Sequence, residues 1–307
     1  MADLPTRDDV ERARVTIGDR VHRTPMLSST TIGARLKAEL FQRTGSFKVR
    51  GALNKMSSLT PEEKARGVIA ISAGNHAQAV AYAAAQEHVD ALVVMWRGAS
   101  EQKIAATRNY GAHVDLETDN PTDAFDRLHE LQDQTGRTLV HPFDDPVVIA
   151  GAGTVGLEIE EDAPGADAVI VGVGGGGLIS GIQTAVGANR RVVAVEPELS
   201  TALHTALERG EPTPVTPTSI ADGLSAPFAG RLALEICRDL ERVLVTEDEI
   251  EHAFRMLYQR AKLAVEPAAA VAAAAWLAGK VQAENPVLIV SGGNVAGQTA
   301  AAILARP

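Results

Sequence analysis

From Gly67 onward the chain repeats one pattern: a short, uninterrupted apolar run, then a stretch with helical spacing. Val68-Ile69-Ala70-Ile71, Ala91-Leu92-Val93-Val94-Met95 and Ala112-His113-Val114-Asp115-Leu116 are the first runs. Asn75 to Gln86, Ser100 to Tyr110 and Thr122 to Gln134 carry the helical spacing between and after them. A strand that is apolar on both faces is buried on both faces, and a parallel sheet covered by helices achieves this. The alternation resumes with Ala168-Val169-Ile170-Val171, Arg191-Val192-Val193-Ala194-Val195, Val243-Leu244-Val245 and Val287-Leu288-Ile289-Val290. The expected architecture is α/β, with two wound parallel-sheet lobes and a cleft between them.

A chain of 307 residues can hold two moderate domains, each with a full core. We place a smaller, mobile domain at residues 67–139 and a larger one at 1–66 and 140–307. Before Gly67, Thr6 reads as the N-cap of a helix reaching about Val21 and stopping before Thr24-Pro25. Leu36 to Phe41 reads as a short strand. Helical spacing returns from Phe47 through Met56 until Ser57-Ser58-Leu59-Thr60-Pro61 breaks it. Glu211 to Pro217, with three prolines, reads as an extended surface loop.

A net charge of −10 argues against nucleic acid and anionic membranes as partners. The single cysteine, Cys237, rules out an internal disulfide and a thiolate metal site. Its apolar surroundings read as a small buried hydrophobe. Met1 to Pro5 is polar and acidic, unlike a signal peptide, and the longest apolar run, Ala268 to Ala278, is too short to span a bilayer. A cytoplasmic protein acting on a small molecule is expected.

Two stretches carry chemistry. Thr44-Gly45-Ser46-Phe47-Lys48 offers a lysine amine after a small, flexible turn. Gly172-Val173-Gly174-Gly175-Gly176-Gly177, after an apolar strand and before a helix, offers bare N–H groups to an anion. A phosphate cradle paired with an amine suits pyridoxal 5'-phosphate, whose aldehyde forms a Schiff base with lysine. A lone lysine on a helix is ordinarily a solvated cation, but the partly apolar approach to Lys48 can desolvate it. The glycine run also fits the dinucleotide pattern G-x-G-x-x-G, with Glu196 near the end of the next strand as the acidic partner.

Ser72-Ala73-Gly74-Asn75-His76 ends a strand and opens a helix. It reads equally as a helix cap or as a turn whose N–H groups hold a carboxylate while the Asn75 amide meets a ring oxygen. His76 has the position of a base, although a histidine at a helix start is more often structural. Ser291-Gly292-Gly293-Asn294 is either a capped turn or a hydroxyl aimed at a ring nitrogen. Glu266, before the helix-initiating Pro267, serves at least as a dipole partner.

Taken together these stretches resemble the fold-type II pyridoxal-phosphate enzymes (tryptophan synthase β-like), in the threonine/serine dehydratase and serine racemase group. The pieces keep that family's order: Arg23-Thr24-Pro25, Thr44 to Ala52, Ser72 to Gln78, His141-Pro142-Phe143-Asp144-Asp145, Gly151-Ala152-Gly153-Thr154, Gly174 to Gly177, Ile220-Ala221-Asp222-Gly223, Glu266-Pro267 and Ser291 to Asn294. The resemblance spans nearly the whole chain and is nearest to threonine dehydratase without a regulatory domain. It implies that Lys48 carries the cofactor and, once displaced, acts as base at Cα. Asn75 would contact the phenolic oxygen, Gly174, Gly175, Gly176 and Gly177 the phosphate, and Ser291 the ring nitrogen. Phe47 would flank the ring, and Ser72, Ala73, Gly74, Asn75 and His76 would hold the substrate carboxylate. A serine at the ring nitrogen moderates the electron sink, which suits loss of a β-leaving group.

The implied reaction is dehydration and deamination of L-threonine or L-serine to a 2-oxo acid and ammonia, in a homodimer. Hydroxyaspartate dehydration, serine racemisation and β-replacement are the alternatives within the family, and a Rossmann-type nucleotide-binding protein is the alternative outside it. Three departures stand out. Racemases of the group resemble this chain but carry a serine where Ala73 stands. Their divalent-cation site uses a glutamate like Glu196 and an aspartate where Ala202 stands, so no metal is expected, with Glu196 and Ser200 the residual candidates. Ala34 to Glu39 is a shortened approach to the lysine. With nothing after Pro307, feedback inhibition by isoleucine is not expected.

Overall fold

The computed structural model describes residues 3–306. Thr6 caps α1 (Arg7–Ile17) through a reciprocal pair: its hydroxyl accepts from the Asp9 N–H, and the Asp9 carboxylate accepts from the Thr6 N–H at 2.8 Å. The helix stops four residues short of Val21 because Gly18 takes φ +42° and a 3₁₀ turn follows.

Six strands form the larger sheet: β1 (Met26–Ser29), β2 (Ala34–Ala38), β7 (Ala168–Gly172), β8 (Arg191–Pro197), β9 (Glu241–Val245) and β10 (Pro286–Val290). Their spatial order is β1-β2-β10-β7-β8-β9, parallel except for β1, which runs antiparallel to β2. The smaller sheet has the order β5-β4-β3-β6 and is wholly parallel. Its strands are β3 (Val68–Ile71), β4 (Ala91–Trp96), β5 (His113–Thr118) and β6 (Thr138–Leu139). The strand expected over Leu36 to Phe41 is instead β2, starting at Ala34, with a 3₁₀ turn at Glu39–Phe41. The shortened approach to the lysine thus forms an inner strand, in register with β1 and β10.

Helices cover both faces of both sheets. On the larger sheet α1, α7 (Pro146–Asp162), α8 (Gly177–Val186), α9 (Ala202–Arg209) and α10 (Arg231–Ile236) close one face. The other is closed by α11 (Glu247–Gln259), α12 (Pro267–Leu277) and α13 (Gly297–Leu304). Cys237 lies fully buried in the first of these cores. On the smaller sheet α4 (Asn75–Gln86) and α5 (Glu101–Asn109) take one side and α6 (Pro121–Thr135) the other. The short α3 (Pro61–Arg66) leads into β3. Among the described residues no helix is long and apolar enough to cross a membrane.

The Lys48-bearing helix α2 (Lys48–Ser58) is shared between the two cores. Val49, Ala52, Leu53 and Met56 bury in the core of the smaller sheet, beside Val68, Ala77 and Val80. On its other side α2 crosses α7 so closely that a Cβ on Gly51 would lie 2.7 Å from the Val148 carbonyl, and one on Gly151 2.6 Å from that of Arg50. The Gly151-Ala152-Gly153-Thr154 stretch is therefore a helix-packing device, since only bare backbone permits that approach.

A buried charge cluster fixes α2 further. The fully buried Arg50 guanidinium donates to Glu39 at 2.8 and 2.9 Å and to Glu158 at 2.7 and 3.0 Å. Lys37, also buried, pairs with Glu158 at 2.6 Å and donates to the Thr24 carbonyl at 2.7 Å. The Thr24 hydroxyl in turn donates to Glu39 at 2.5 Å. Each charge meets an opposite one, the condition under which buried ions are tolerated.

Candidate active site

The carboxyl ends of β3, β7 and β10 and the start of α2 converge on a cavity of about 750 Å³ between the two sheets. Phe47, Lys48, Ser72 to His76, Gly174 to Gly177, Glu266 and Ser291 all line it. Sequence motifs from opposite ends of the chain thus meet in one place, where open parallel sheets bind ligands.

The lysine turn is stitched to the end of β10. The Phe47 N–H donates to the Ser291 carbonyl at 3.1 Å, the Gly293 N–H to the Gly45 carbonyl at 2.9 Å, and the Asn294 amide to the Thr44 carbonyl at 2.7 Å. Lys48 Nζ donates to the Pro142 carbonyl at 2.7 Å and lies 5.3 Å from the centre of the Phe47 ring. Burial lowers the amine to about 8, opposed by the negative charge of Glu266. A solvated lysine is excluded; this one is poised to lose its proton near neutrality.

At the head of α4, the Ser72 hydroxyl accepts from the Gly74 N–H at 3.1 Å. The Asn75 side chain does not cap its own helix. Its amide donates to Glu266 at 2.7 Å, and its carbonyl accepts from the Asn294 amide at 2.9 Å. The first N–H groups of α4 lack intrahelical partners, as at any helix start. His76 is 3% exposed and donates Nε2–H to the Val140 carbonyl at 2.8 Å. Burial, reinforced by Lys48, lowers it to about 3, so it stays neutral and tethers the helix. Glu266 is pushed up to about 7 by burial, with Asp222 adding to the effect.

After β7 the chain runs through the glycines into α8, whose N-terminus has no side-chain cap. Gly176 takes φ +95°, and a Cβ on Gly175 would lie 2.3 Å from the Phe143 ring. Phe143 therefore packs directly on bare backbone, and the helix-start N–H groups of α8 carry no side-chain cap that would keep an anion from them. This cradle, with a desolvated amine and a hydroxyl across one cavity, fits pyridoxal 5'-phosphate: an anion site for the phosphate and a nucleophile for the aldehyde.

Glu196 lies elsewhere. It is 1% exposed, and its two oxygens accept from the Leu203 and His204 N–H groups at 2.7 and 2.8 Å, capping α9. With both oxygens so engaged, it does not line the cavity that holds the glycine loop, where a dinucleotide ribose would need it. Ser200, its companion as a cation candidate, donates to the Leu224 carbonyl at 2.9 Å. Among the described residues no three His, Cys, Asp or Glu side chains form a metal-binding group.

Sequence reasoning missed several lining groups. Lys103 of α5 pairs with Asp222 at 2.5 Å across the cleft. Trp96, Phe125, Phe143 and Phe228 add an aromatic wall. Neither had a local signal, because each partner comes from a distant element.

Comparison with known proteins gives a consistent result. A family profile described as "Pyridoxal-phosphate dependent enzyme" matches residues 17–293. The catabolic L-threonine dehydratase TdcB of Escherichia coli (strain K12) is 44% identical over 310 positions, covering 95% of this chain and 94% of that protein. The L-threonine ammonia-lyase of Thermotoga maritima is 43% identical over 94% of this chain and 76% of its own. Among solved structures, maize serine racemase superimposes with a TM-score of 0.90 at 36% identity, covering 97% of this chain and 96% of that one. The T.th. threonine deaminase does so with 0.89 at 39%, covering 95% and 99%.

Proposed function

This chain belongs to the family of pyridoxal-phosphate dependent enzymes, and we propose that it is an ammonia-lyase converting L-threonine and L-serine to 2-oxo acids and ammonia. One observation carries the reading: a half-buried amine, bonded to the Pro142 carbonyl and lowered to about 8 by desolvation, shares a cavity with an uncapped, side-chain-free glycine loop. Pyridoxal phosphate, when bound, supplies an aldehyde that takes up amines and a ring that draws electrons from Cα.

The chain's own residues take these roles. Gly174 to Gly177 and the start of α8 would receive the phosphate, Ser291 would donate to the ring nitrogen, Asn75 would meet the phenolic oxygen and Phe47 would flank the ring. The turn from Ser72 to His76 would hold the substrate carboxylate through its N–H groups other than those of Ser72 and Gly74, which already donate to the Val94 carbonyl and the Ser72 hydroxyl. Glu266 and Asn294 fix the Asn75 amide between them. Lys48 takes the Cα proton, since an amine near neutrality is both a competent base and, reprotonated, an acid. The β-hydroxyl departs as water, and hydrolysis of the released enamine yields the 2-oxo acid and ammonia. Ala73 has no proton to give to the opposite face, which favours elimination over racemisation.

The wider reading includes a large domain (1–66 and 140–307), a small one (67–139) that closes on substrate, a homodimer and a cytoplasmic location. Light scattering at twice the 32.2 kDa chain mass would support the dimer. The deciding experiment follows pyruvate, ammonia and D-serine after adding L-serine to the purified protein, with Lys48→Ala alongside. Pyruvate and ammonia in equal amounts, lost in the variant together with its borohydride-reducible visible absorption, are expected. D-serine as the main product would replace this reading with racemisation.

A further inference from the structure

We infer that the cleft accepts β-hydroxy amino acids bearing a large apolar, aromatic β-substituent, with Trp96, Phe125 and Phe228 as the residues that select it. The inference rests on the ammonia-lyase reading and extends it to a substrate class.

The placement follows from the smaller sheet. Ile71 pairs with Val94, and the next N–H, that of Ser72, donates to the Val94 carbonyl at 3.2 Å. The end of β4 therefore runs beside the turn proposed to hold the substrate carboxylate, and Trp96 comes two residues after Val94. Trp96 shares a face with Ile71, Val94 and Phe125 of α6, half-buried against the same apolar cluster.

From the opposite lobe Phe228 reaches across to Phe125, with ring centres 6.3 Å apart, and packs edge-on against Phe143 at 5.6 Å. Phe143 in turn lies against Gly175 of the glycine loop. An apolar wall thus runs from the carboxylate turn to the phosphate cradle, along the cavity in which Cβ of a substrate must lie.

A methyl or hydrogen at Cβ leaves that wall nearly untouched. The volume, about 750 Å³, is shared by cofactor and substrate, and it belongs to the upper part of the range of about 300–1,000 Å³ typical of ligand pockets, which leaves room beyond the cofactor for more than a methyl group. An anionic substituent fits poorly. Among the described residues Lys103 is the one lining lysine besides Lys48, and it already pairs with Asp222 at 2.5 Å, while Asp126 adds negative charge beside Phe125. Aromatic side chains prefer tilted and edge-on contact with other rings, the geometry this wall presents.

The reaction balances as before: β-phenylserine loses its Cα proton and β-hydroxyl as water, and hydrolysis returns that water, giving phenylpyruvate and ammonia. The test assays the holoenzyme with L-serine, L-threonine and β-phenylserine, and measures competitive inhibition by L-phenylalanine and L-alanine, neither of which has a β-leaving group. Phenylserine kcat/KM within about tenfold of threonine, and a phenylalanine Ki at least about tenfold below that of alanine, are expected for an apolar pocket of this kind. Phe125→Ala and Trp96→Ala should each lower both preferences by about fivefold or more, with Phe125→Leu as the milder variant if alanine unfolds the lobe. Turnover of serine or threonine without phenylserine overturns the inference. Should no substrate be turned over, the ammonia-lyase reading fails instead, and the wall is judged by phenylalanine against alanine binding, read from the visible absorption. Equal binding of the two then overturns it.

Discussion

Replacing Gly175 by alanine tests the phosphate cradle directly. The added Cβ would lie 2.3 Å from Cγ and Cδ1 of Phe143, whereas carbon atoms pack at about 3.5–4.0 Å. The ring cannot retreat easily. It stands edge-on to His141 at 4.8 Å and to Phe228 at 5.6 Å. Its loop is pinned by His141 Nδ1, which accepts from the Phe143 and Asp144 N–H groups, and by Asp144, which accepts from the Leu232 N–H at 2.9 Å. The glycine loop must therefore give way. Overpacking of this kind costs about 1–3 kcal/mol, and on the cofactor-binding conformation that raises Kd by about five- to 150-fold. The assay is titration of apo-protein with pyridoxal phosphate, followed by visible absorption, together with thermal unfolding. Gly165→Ala is the control: its Cβ would meet nothing within 4 Å, and a change within about 0.5 kcal/mol is expected. Adding Phe143→Leu to Gly175→Ala should recover part of the loss, a coupling that a double-mutant cycle measures. Wild-type affinity and melting in Gly175→Ala would refute the packing argument.

Arg50→Met should destabilise the protein by about 3–5 kcal/mol in urea unfolding, because Glu39 loses its buried cation and Glu158 keeps only Lys37; a loss under about 1 kcal/mol would show the cluster to be relaxed. For Lys48, a pKa lowered to about 8 means that the amine is half neutral near pH 8 and that the neutral form levels off only above about pH 9. Borohydride-trapped modification of apo-protein by pyridoxal phosphate should follow that profile, and a rate still climbing at pH 10 would contradict it. Asp222→Asn removes the ion pair that Lys103 makes across the cleft. Little effect on stability is expected, under about 1 kcal/mol for so exposed a pair, but KM for serine should rise and lose its salt dependence. Identical salt profiles in wild type and variant would dissociate that pair from cleft closure.

What the sequence disclosed depended on whether a feature was local. The bounds of β3 and α4 match the expected ones because an apolar run flanked by Gly67 and Ser72-Ala73-Gly74 is complete in itself. Helix α7 escaped because Val148 to Ile159 is buried all round, which removes the periodic contrast that marks a surface helix. Strand β2 was displaced because its start at Ala34 and Arg35 is set by pairing with β1 and β10, the latter about 250 residues away, and Glu39 to Phe41 turns out of the sheet. The site divides in the same way. Its turns and glycines were legible one by one, whereas Asn75 with Glu266 is a contact across 191 residues and Asn294 with Thr44 one across 250. Such pairs carry no spacing rule, and the aromatic wall has none either.

Those long-range pairs also bear on how the cleft could open. Lys48 is tied to the larger sheet by directional bonds: the backbone links from Gly45 and Phe47 to the end of β10, and the ion pairs of Arg50 with Glu39 and Glu158. Its helix meets the smaller lobe mainly through Val49, Ala52, Leu53 and Met56, which are apolar and non-directional contacts, with one directional bond at its far end, from the Ser57 hydroxyl to Glu87 at 2.8 Å. The carboxylate turn has the opposite attachment. Ser72 to His76 belongs to β3 and α4, and Asn75 reaches the larger lobe through its bonds with Glu266 and Asn294. Apolar faces slide at small cost, whereas buried ion pairs do not survive separation. Opening of the proposed small domain would therefore break the Asn75 bonds and withdraw the substrate-holding turn, while the lysine and the glycine loop stayed together. Lys48, the glycine loop and Ser291 would then keep the cofactor on the larger lobe, while the substrate-holding turn, and with it Asn75, left with the smaller one.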